Sequence, residues 1–490
     1  MTTMAFVAVS SAVVIGLSGH MVRIEADLSA GLSGFHLIGL PDATTAQTRD
    51  RVRAAILNSG WDWPDQRITV NVVPSDMPKY GSALDVAIAV AILAAAGVIP
   101  TEPLAHTAFL GELGLDGSLR HVRGLSCAIR TLVTAGTRAV AVPAASTTHT
   151  GQWAVLPASS LADLVEQLRN GAPLIAPNPP TTAVDVPELD LADLPGNQAA
   201  KAAMEISAAG GHHLLLQGRG PAAGLAACLP ALLPPLDDLS HAEVCDIYSL
   251  TETAWQSRRR PLCAPHHTNT AAAIFGRRTV GLTRPGAVSL AHAGVLFLDE
   301  APEFARSILD GLRHPLDHGE IILADGGGIM RLPARFQILM TTSPCPCVTN
   351  TCRCGTVDRQ RYLSRLAVLR ERIEFTAPVA PHDWTAKPGE STVTVATRVA
   401  EARARAAYRL GGTPGRTNAE IPALELRSTH RLAPEALDPL DSALRSGTIT
   451  PAVMTQLLRV AWTLADLRAA AHPTRDDTHQ ALRLWQGTAF

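Results

Sequence analysis

The run Gly294-Val-Leu-Phe-Leu-Asp-Glu300 constrains this chain more than any other stretch. Four large apolar residues in a row suit a strand covered on both faces, as in a parallel sheet. Two carboxylates then emerge together at its carboxyl end, where open α/β sheets place their ligands. This is the pattern of a Walker B strand. In that pattern the first acid, here Asp299, would hold the magnesium ion of a nucleotide, and the second, Glu300, would polarise the attacking water. The same run also fits an ordinary buried strand whose acids face solvent or cap the next helix.

The 490 residues suffice for about three domains at roughly 150 residues each. A formal charge of −2 gives no overall field toward nucleic acid, though a local basic channel is compatible with it. The apolar run Met4–Leu17 has no Lys or Arg before it and is interrupted by Ser10 and Ser11, so it reads as a strand rather than a signal peptide. Val86–Ile99 is too short to span a bilayer. The expectation is a cytoplasmic protein with no membrane partner. Of eight cysteines, Cys345, Cys347, Cys352 and Cys354 fall within ten residues, a density that suggests metal rather than disulfides.

Short β-rich runs (Phe6–Val9, Val22–Ala26, Ile68–Val72) and two helical ones (Asp50–Ser59, Leu84–Ala96) fill residues 1–170. Residues 171–190 are proline-rich and aperiodic, and read as a linker. A helix Ala199–Ala209 and a strand His213–Leu216 open residues 191–380, and residues 381–490 are mostly helical. The organising strand is flanked by Arg284-Pro-Gly-Ala-Val-Ser-Leu-Ala-His292 and Ala301-Pro-Glu-Phe304. Gly39-Leu-Pro-Asp42, Arg51-Val-Arg-Ala-Ala-Ile56 and Gly111-Glu-Leu-Gly-Leu-Asp-Gly117 stand upstream. With these runs the whole chain resembles the magnesium-chelatase-like AAA+ ATPases, in the branch that contains ComM and YifB. The resemblance implies a multidomain α/β protein. An N-terminal α+β domain like the Lon protease and ribosomal protein S5 domain 2 would be followed by an AAA+ P-loop-type parallel-sheet core and a C-terminal helical lid.

A Lon-type peptidase needs a serine nucleophile and an activating lysine. Aligned with that pattern, Ala83 takes the serine position and Ser82 falls one residue early, while Ser126 stands where the lysine belongs. Peptidase activity is not expected, and Ser82 reads as a helix cap or loop hydroxyl.

A working phosphate loop needs glycines whose N–H groups converge on phosphate, a Lys, and a Ser or Thr for magnesium. The corresponding stretch, Gly218-Arg-Gly-Pro-Ala-Ala-Gly-Leu225, is about two residues short of the family pattern and has neither Lys nor Ser/Thr. Gly218, Gly220 and Gly224 are its candidate cradle. Arg219 is a cation on the wrong side of the glycines, and a planar guanidinium does not simply replace an ammonium in a tight loop. By the same resemblance, Ser343 stands at the sensor position usually held by asparagine. Ala452 and Gln456 occupy places expected to be arginine. Arg372 matches the arginine finger that reaches a neighbouring subunit's nucleotide, with an ion pair to Glu371 or Glu374 as the alternative.

The hairpin Glu320–Leu323/Arg331–Arg335 should meet DNA in a ring's pore, yet its tip, Ala324-Asp-Gly-Gly-Gly328, is acidic and lysine-free and repels phosphate. The arginine-bearing lid helix Arg398–Arg409 is the competing DNA surface. His266 and His267 read as loop residues. The cysteine cluster is expected to hold one structural zinc, against a reading as free thiols. Two functions follow: a ComM-like ring ATPase moving DNA branches, with ATP and magnesium weakly served, or a non-hydrolysing scaffold. Under either, the chain would form a homo-oligomeric ring or a mixed ring with an intact paralogue, with weak DNA binding.

Overall fold

The computed structural model describes residues 6–75, 77, 79, 82–149, 153–171, 189–279, 282–325, 328–347, 352–381, 385, 389–411 and 416–488. Most of the proline-rich linker, residues 172–188, lies outside them.

Alternating small and branched residues make β1 (Phe6–Ile15) and β2 (Ser18–Ser29) a hairpin in full antiparallel register, from Phe6↔Asp27 to Ile15↔Ser18. Gly16 turns it with φ +67°, a region that favours glycine. With β3 (Gly34–Ile38), β4 (Arg67–Val73), β5 (Thr107–Phe109), β6 (Ala139–Pro143) and β7 (Leu156–Ala158) they form a mixed sheet of order β3-β4-β2-β1-β5-β6-β7. Helix α1 (Asp42–Asn58) begins earlier than its apolar spacing suggests. Helix α2 (Asp85–Ala95) is the apolar stretch too short for a membrane, and all of its residues are buried in this domain's core. Its single charge, Asp85, is met by the Arg51 fork at 2.7 and 3.1 Å. Helices α3 (Leu125–Thr134) and α4 (Leu161–Asn170) complete the unit.

After α5 (Gln198–Gly210) comes a second sheet. Its strands are β8 (Leu214–Gly218), β9 (Leu262–Cys263), β10 (Val295–Leu298), β13 (Gln337–Thr342) and β14 (Phe375–Val379). All pairings are parallel, in the order β9-β10-β13-β8-β14. Every residue of β10 and β13 is buried, as expected of strands covered on both faces. Helices α6 (Ala222–Leu232) and α7 (Asp238–Ser249) follow β8. A separate hairpin, β11 (Glu320–Asp325) and β12 (Gly328–Pro333), precedes β13, and α8 (Thr356–Leu363) precedes β14. Because β8 sits between β13 and β14, the loop leaving β8 lies between the exits of both neighbours. That one topological fact places the site.

Helices α9 (Thr392–Arg409), α10 (Pro434–Arg445), α11 (Pro451–Leu467) and α12 (Arg475–Gln486) share a core with α5, α6 and one sheet face. The N-terminal unit touches α7 through Arg130, 2.7 Å from Asp246. Among the described residues no helix is long and apolar enough to cross a membrane.

Candidate nucleotide and metal site

Asp299 is exposed at the carboxyl end of β10, and Glu300, half-buried, turns the chain with a left-handed φ of +48°. Thr341 fixes both: its hydroxyl donates to Asp299 Oδ1 at 2.7 Å and accepts the Glu300 amide at 2.7 Å. Two residues on, and therefore on the same side of the strand end, Ser343 donates its hydroxyl to Glu300 Oε1 at 2.6 Å and its amide to Oε2 at 2.9 Å. Tyr362 on α8 adds a third donor at 3.1 Å. Burial first, and then the Glu300 carboxylate, push the Tyr362 phenol up, so it remains a donor. Asp299, Glu300 and Ser343 are thus brought together. Thr341 was legible from its two-residue offset to Ser343, whereas nothing local marked Tyr362.

The loop after β8 is packed rather than open. Gly218 pairs in register with Val379, and a Cβ there would lie 1.9 Å from the Val379 carbonyl oxygen. A Cβ on Gly220 would lie 2.3 Å from the Ala380 oxygen, and one on Gly224 would lie 3.1 Å from Leu189. Contact with the exit of β14 and with the start of the domain therefore already requires glycine at the first two positions. Arg219 points across to the opposite neighbour, with its guanidinium 3.5 Å from both Cys345 Sγ and Cys347 Sγ and bonded to the Cys347 carbonyl.

The four clustered cysteines converge. Their sulfurs all lie within 4.8 Å of one another, with Cys345 to Cys347 at 3.1 Å and Cys345 to Cys352 at 3.2 Å. Tetrahedral zinc at about 2.3 Å from each sulfur needs S–S edges of about 3.8 Å. That value lies inside the range from 3.1 Å to at most 4.8 Å over which these four donors are gathered, so their number and chemistry suit a four-thiolate ion once two close pairs open slightly. Hydrogen bonding from Cys345, then from Arg219, pulls the Cys347 thiol down to about 6. Its neighbour Cys354 is pushed up to about 12, chiefly by Cys347. Arg359 on α8 approaches Cys352 at 3.5 Å. None of the eight cysteines is in a disulfide.

Arg372 is not part of this group. It precedes β14, at the amino-terminal end of the sheet, where it lines a cleft of ≈ 1310 Å³ together with Ala452, Gln456 and Arg459. Its ion-pair partner is neither Glu371 nor Glu374 but Asp317, 2.8 and 2.5 Å away in bidentate geometry. The expected partners were local in sequence, and the observed one comes from a helix end 55 residues earlier. Glu374 instead accepts the His213 amide at 2.8 Å. Gln456 donates to the Glu371 carbonyl.

Ser82 is a loop hydroxyl, not a helix cap: it donates to Glu112, and the α2 N-terminus has no side-chain cap. Ser126 is buried in α3. His266 bonds the Thr268 hydroxyl at 2.7 Å, within its own loop.

The arginines of α9 are committed to structure. Arg398 holds Glu205 and Glu390 at 2.6 Å each, Arg405 holds Glu401 at 3.1 Å, and Arg409 holds Asp466. Arg403, half-buried, donates to the Ala208 carbonyl at 2.8 Å, and desolvation pulls it down to about 9. The helix is therefore no open basic surface. Residues 326 and 327 at the tip of the β11–β12 hairpin lie outside the described residues, as does the Asp325 side chain. Close by stands a second hairpin, Gly276–Thr279 with Leu282–Pro285, whose Arg278 donates to the Gly328 carbonyl at 2.7 Å. Its exposed Arg277 and Arg284 face each other directly across the strands. Among the described residues neither has a carboxylate partner.

A five-stranded parallel sheet of this order, with paired acids at the end of one strand and hydroxyls on the next, is the mixed α/β arrangement of a multidomain AAA+-like protein. More narrowly, the chain belongs to the magnesium chelatase family: the model for magnesium chelatase, subunit ChlI, matches residues 190–386. Models for subunit ChlI of Mg-chelatase and for the subunit's C-terminal part match residues 24–146 and 389–484. An uncharacterized protein of Mycobacterium tuberculosis (strain H37Rv) is 41% identical over 97% of this chain and 98% of its own. Competence protein ComM of Haemophilus influenzae is 35% identical over 95% and 94%, and YifB of Escherichia coli 34% over 96% and 94%.

Proposed function

We propose that this chain is a cytoplasmic, DNA-directed ring member of the ComM and YifB branch whose own site turns over ATP far below the ordinary rate. The observation that carries this reading is the loop after β8. It has no Lys and no Ser or Thr, its glycines lie against Val379 and Ala380, and its one cation faces the cysteines. Without a cation on the β- and γ-phosphates, neither ground-state binding nor the phosphoryl transition state is stabilised from this side. Asp299 is the residue that would hold magnesium, and Glu300 and Ser343 would orient water. Arg372, at the far end of the sheet, would serve a neighbour's nucleotide in a homo-oligomeric ring or in a mixed ring with an intact paralogue. Cys345, Cys347, Cys352 and Cys354 would hold a structural zinc.

A second reading, a ring that hydrolyses ATP to drive branch migration, is favoured by the Asp299–Glu300 pair held in place by Thr341 and Ser343. Calorimetric titration with Mg·ATP separates them. No saturable heat below about 1 mM nucleotide is expected. Micromolar binding would favour the second reading.

A further inference from the structure

The loop that the nucleotide has no use for is in direct contact with the thiols. Arg219 lies 3.5 Å from Cys345 Sγ and Cys347 Sγ and is bonded to the Cys347 carbonyl, while Arg359 lies 3.5 Å from Cys352 Sγ on the other flank. Four thiolates around one divalent ion leave a net charge of roughly −2. Two guanidiniums balance it, each donating N–H groups to sulfur, and such outer contacts orient the ligands of a metal and tune its affinity.

The geometry points to a new role for the degenerate loop: Arg219, with Arg359, is the charge partner of the four-cysteine metal site, and metal binding there fixes the β8–α6 loop. This rests on reading the four cysteines as metal ligands. The topology makes the coupling direct. The loop is clamped by Val379 and Ala380 on one side, where its glycines leave no room for a Cβ, and by the cysteine segment on the other. An ion that fixes Cys345 and Cys347 fixes the acceptors of Arg219, and with them the loop. Arg219 would touch no metal itself; it is a positioning residue.

The test uses the full chain purified with zinc, together with the variants Arg219→Gln, Arg219→Lys, Arg359→Gln and, as a control on the same helix, Arg361→Gln. Zinc affinity is read by competition with a chromogenic chelator, and the thiolate set by the charge-transfer bands of the cobalt-substituted protein. Arg219→Gln and Arg359→Gln should each weaken zinc about 10- to 100-fold. Arg219→Lys should recover part of that loss, and Arg361→Gln should equal the unmodified chain. Amide hydrogen exchange in residues 218–225 should accelerate when zinc is removed. Unchanged zinc affinity in both glutamine variants, or loop exchange indifferent to zinc, would overturn the inference while leaving the metal site standing. An unmodified chain that binds no zinc would overturn both. Neither result touches the reading of the ATP site, which is settled by nucleotide binding alone.

Discussion

Ser343 grips Glu300 twice, its hydroxyl 2.6 Å from one carboxylate oxygen and its amide 2.9 Å from the other. The serine therefore holds the candidate water-polarising group against β13. Replacing Ser343 by Ala removes a hydrogen bond to a charged, half-buried acceptor. A loss of about 1–2 kcal/mol is expected in denaturant unfolding. Stability equal to the unmodified protein would show that the contact is dispensable.

Arg51 and Asp85 form the ion pair at the head of the buried helix α2, with the Asp85 side chain 1% exposed. Asp85→Ala leaves a largely buried guanidinium without its partner and should cost about 3 kcal/mol. The double change Arg51→Met with Asp85→Leu should lose less than the single one, because no charge is stranded. Denaturant midpoints of the three variants decide this; a double variant worse than Asp85→Ala would contradict it.

The strands and helices were legible because their signals are local. Four apolar residues before Asp299 mark a strand covered on both faces, and Pro451–Leu467 carries its apolar face at helical spacing. The degeneracy of the β8 loop was also readable, since a missing Lys and Ser/Thr are visible without coordinates. The partners of charged groups were not. Arg372 finds Asp317, Arg219 finds cysteines some 126 residues later, and the arginines of α9 are taken up by residues such as Glu205 and Asp466. Each pairing depends on strand order and helix packing, which a period of two or 3.6 does not encode. The hairpin's surroundings were equally hidden. The sequence shows the acidic tip by itself, without the arginine pair that the fold brings beside it.

Zinc should copurify at about one ion per chain, as at other four-thiolate sites. Elemental analysis of protein prepared without chelator measures it. Removal with a strong chelator should lower Tm, because an ion bound only by the folded chain stabilises it by mass action. Metal-free protein of unaltered Tm would leave four ordinary thiols.

Single-stranded DNA should bind weakly and with a shallow salt dependence. Arg277→Gln with Arg284→Gln should reduce the salt slope by about two, and arginine at Ala324 and Asp325 should raise it by roughly one per added phosphate contact. Neutralising Arg405 should change little, since it is paired with Glu401. Fluorescence titrations at two salt concentrations read all three. Tight binding indifferent to both hairpins would place the DNA surface elsewhere.

Steady-state ATP turnover, measured with and without DNA beside the variant Glu300→Gln, tests the reading of this site most directly. Loss of phosphate-binding charge implies a rate at least about 100-fold below an ordinary turnover of about 10 per second. Turnover in the ordinary range that Glu300→Gln abolishes would contradict the reading.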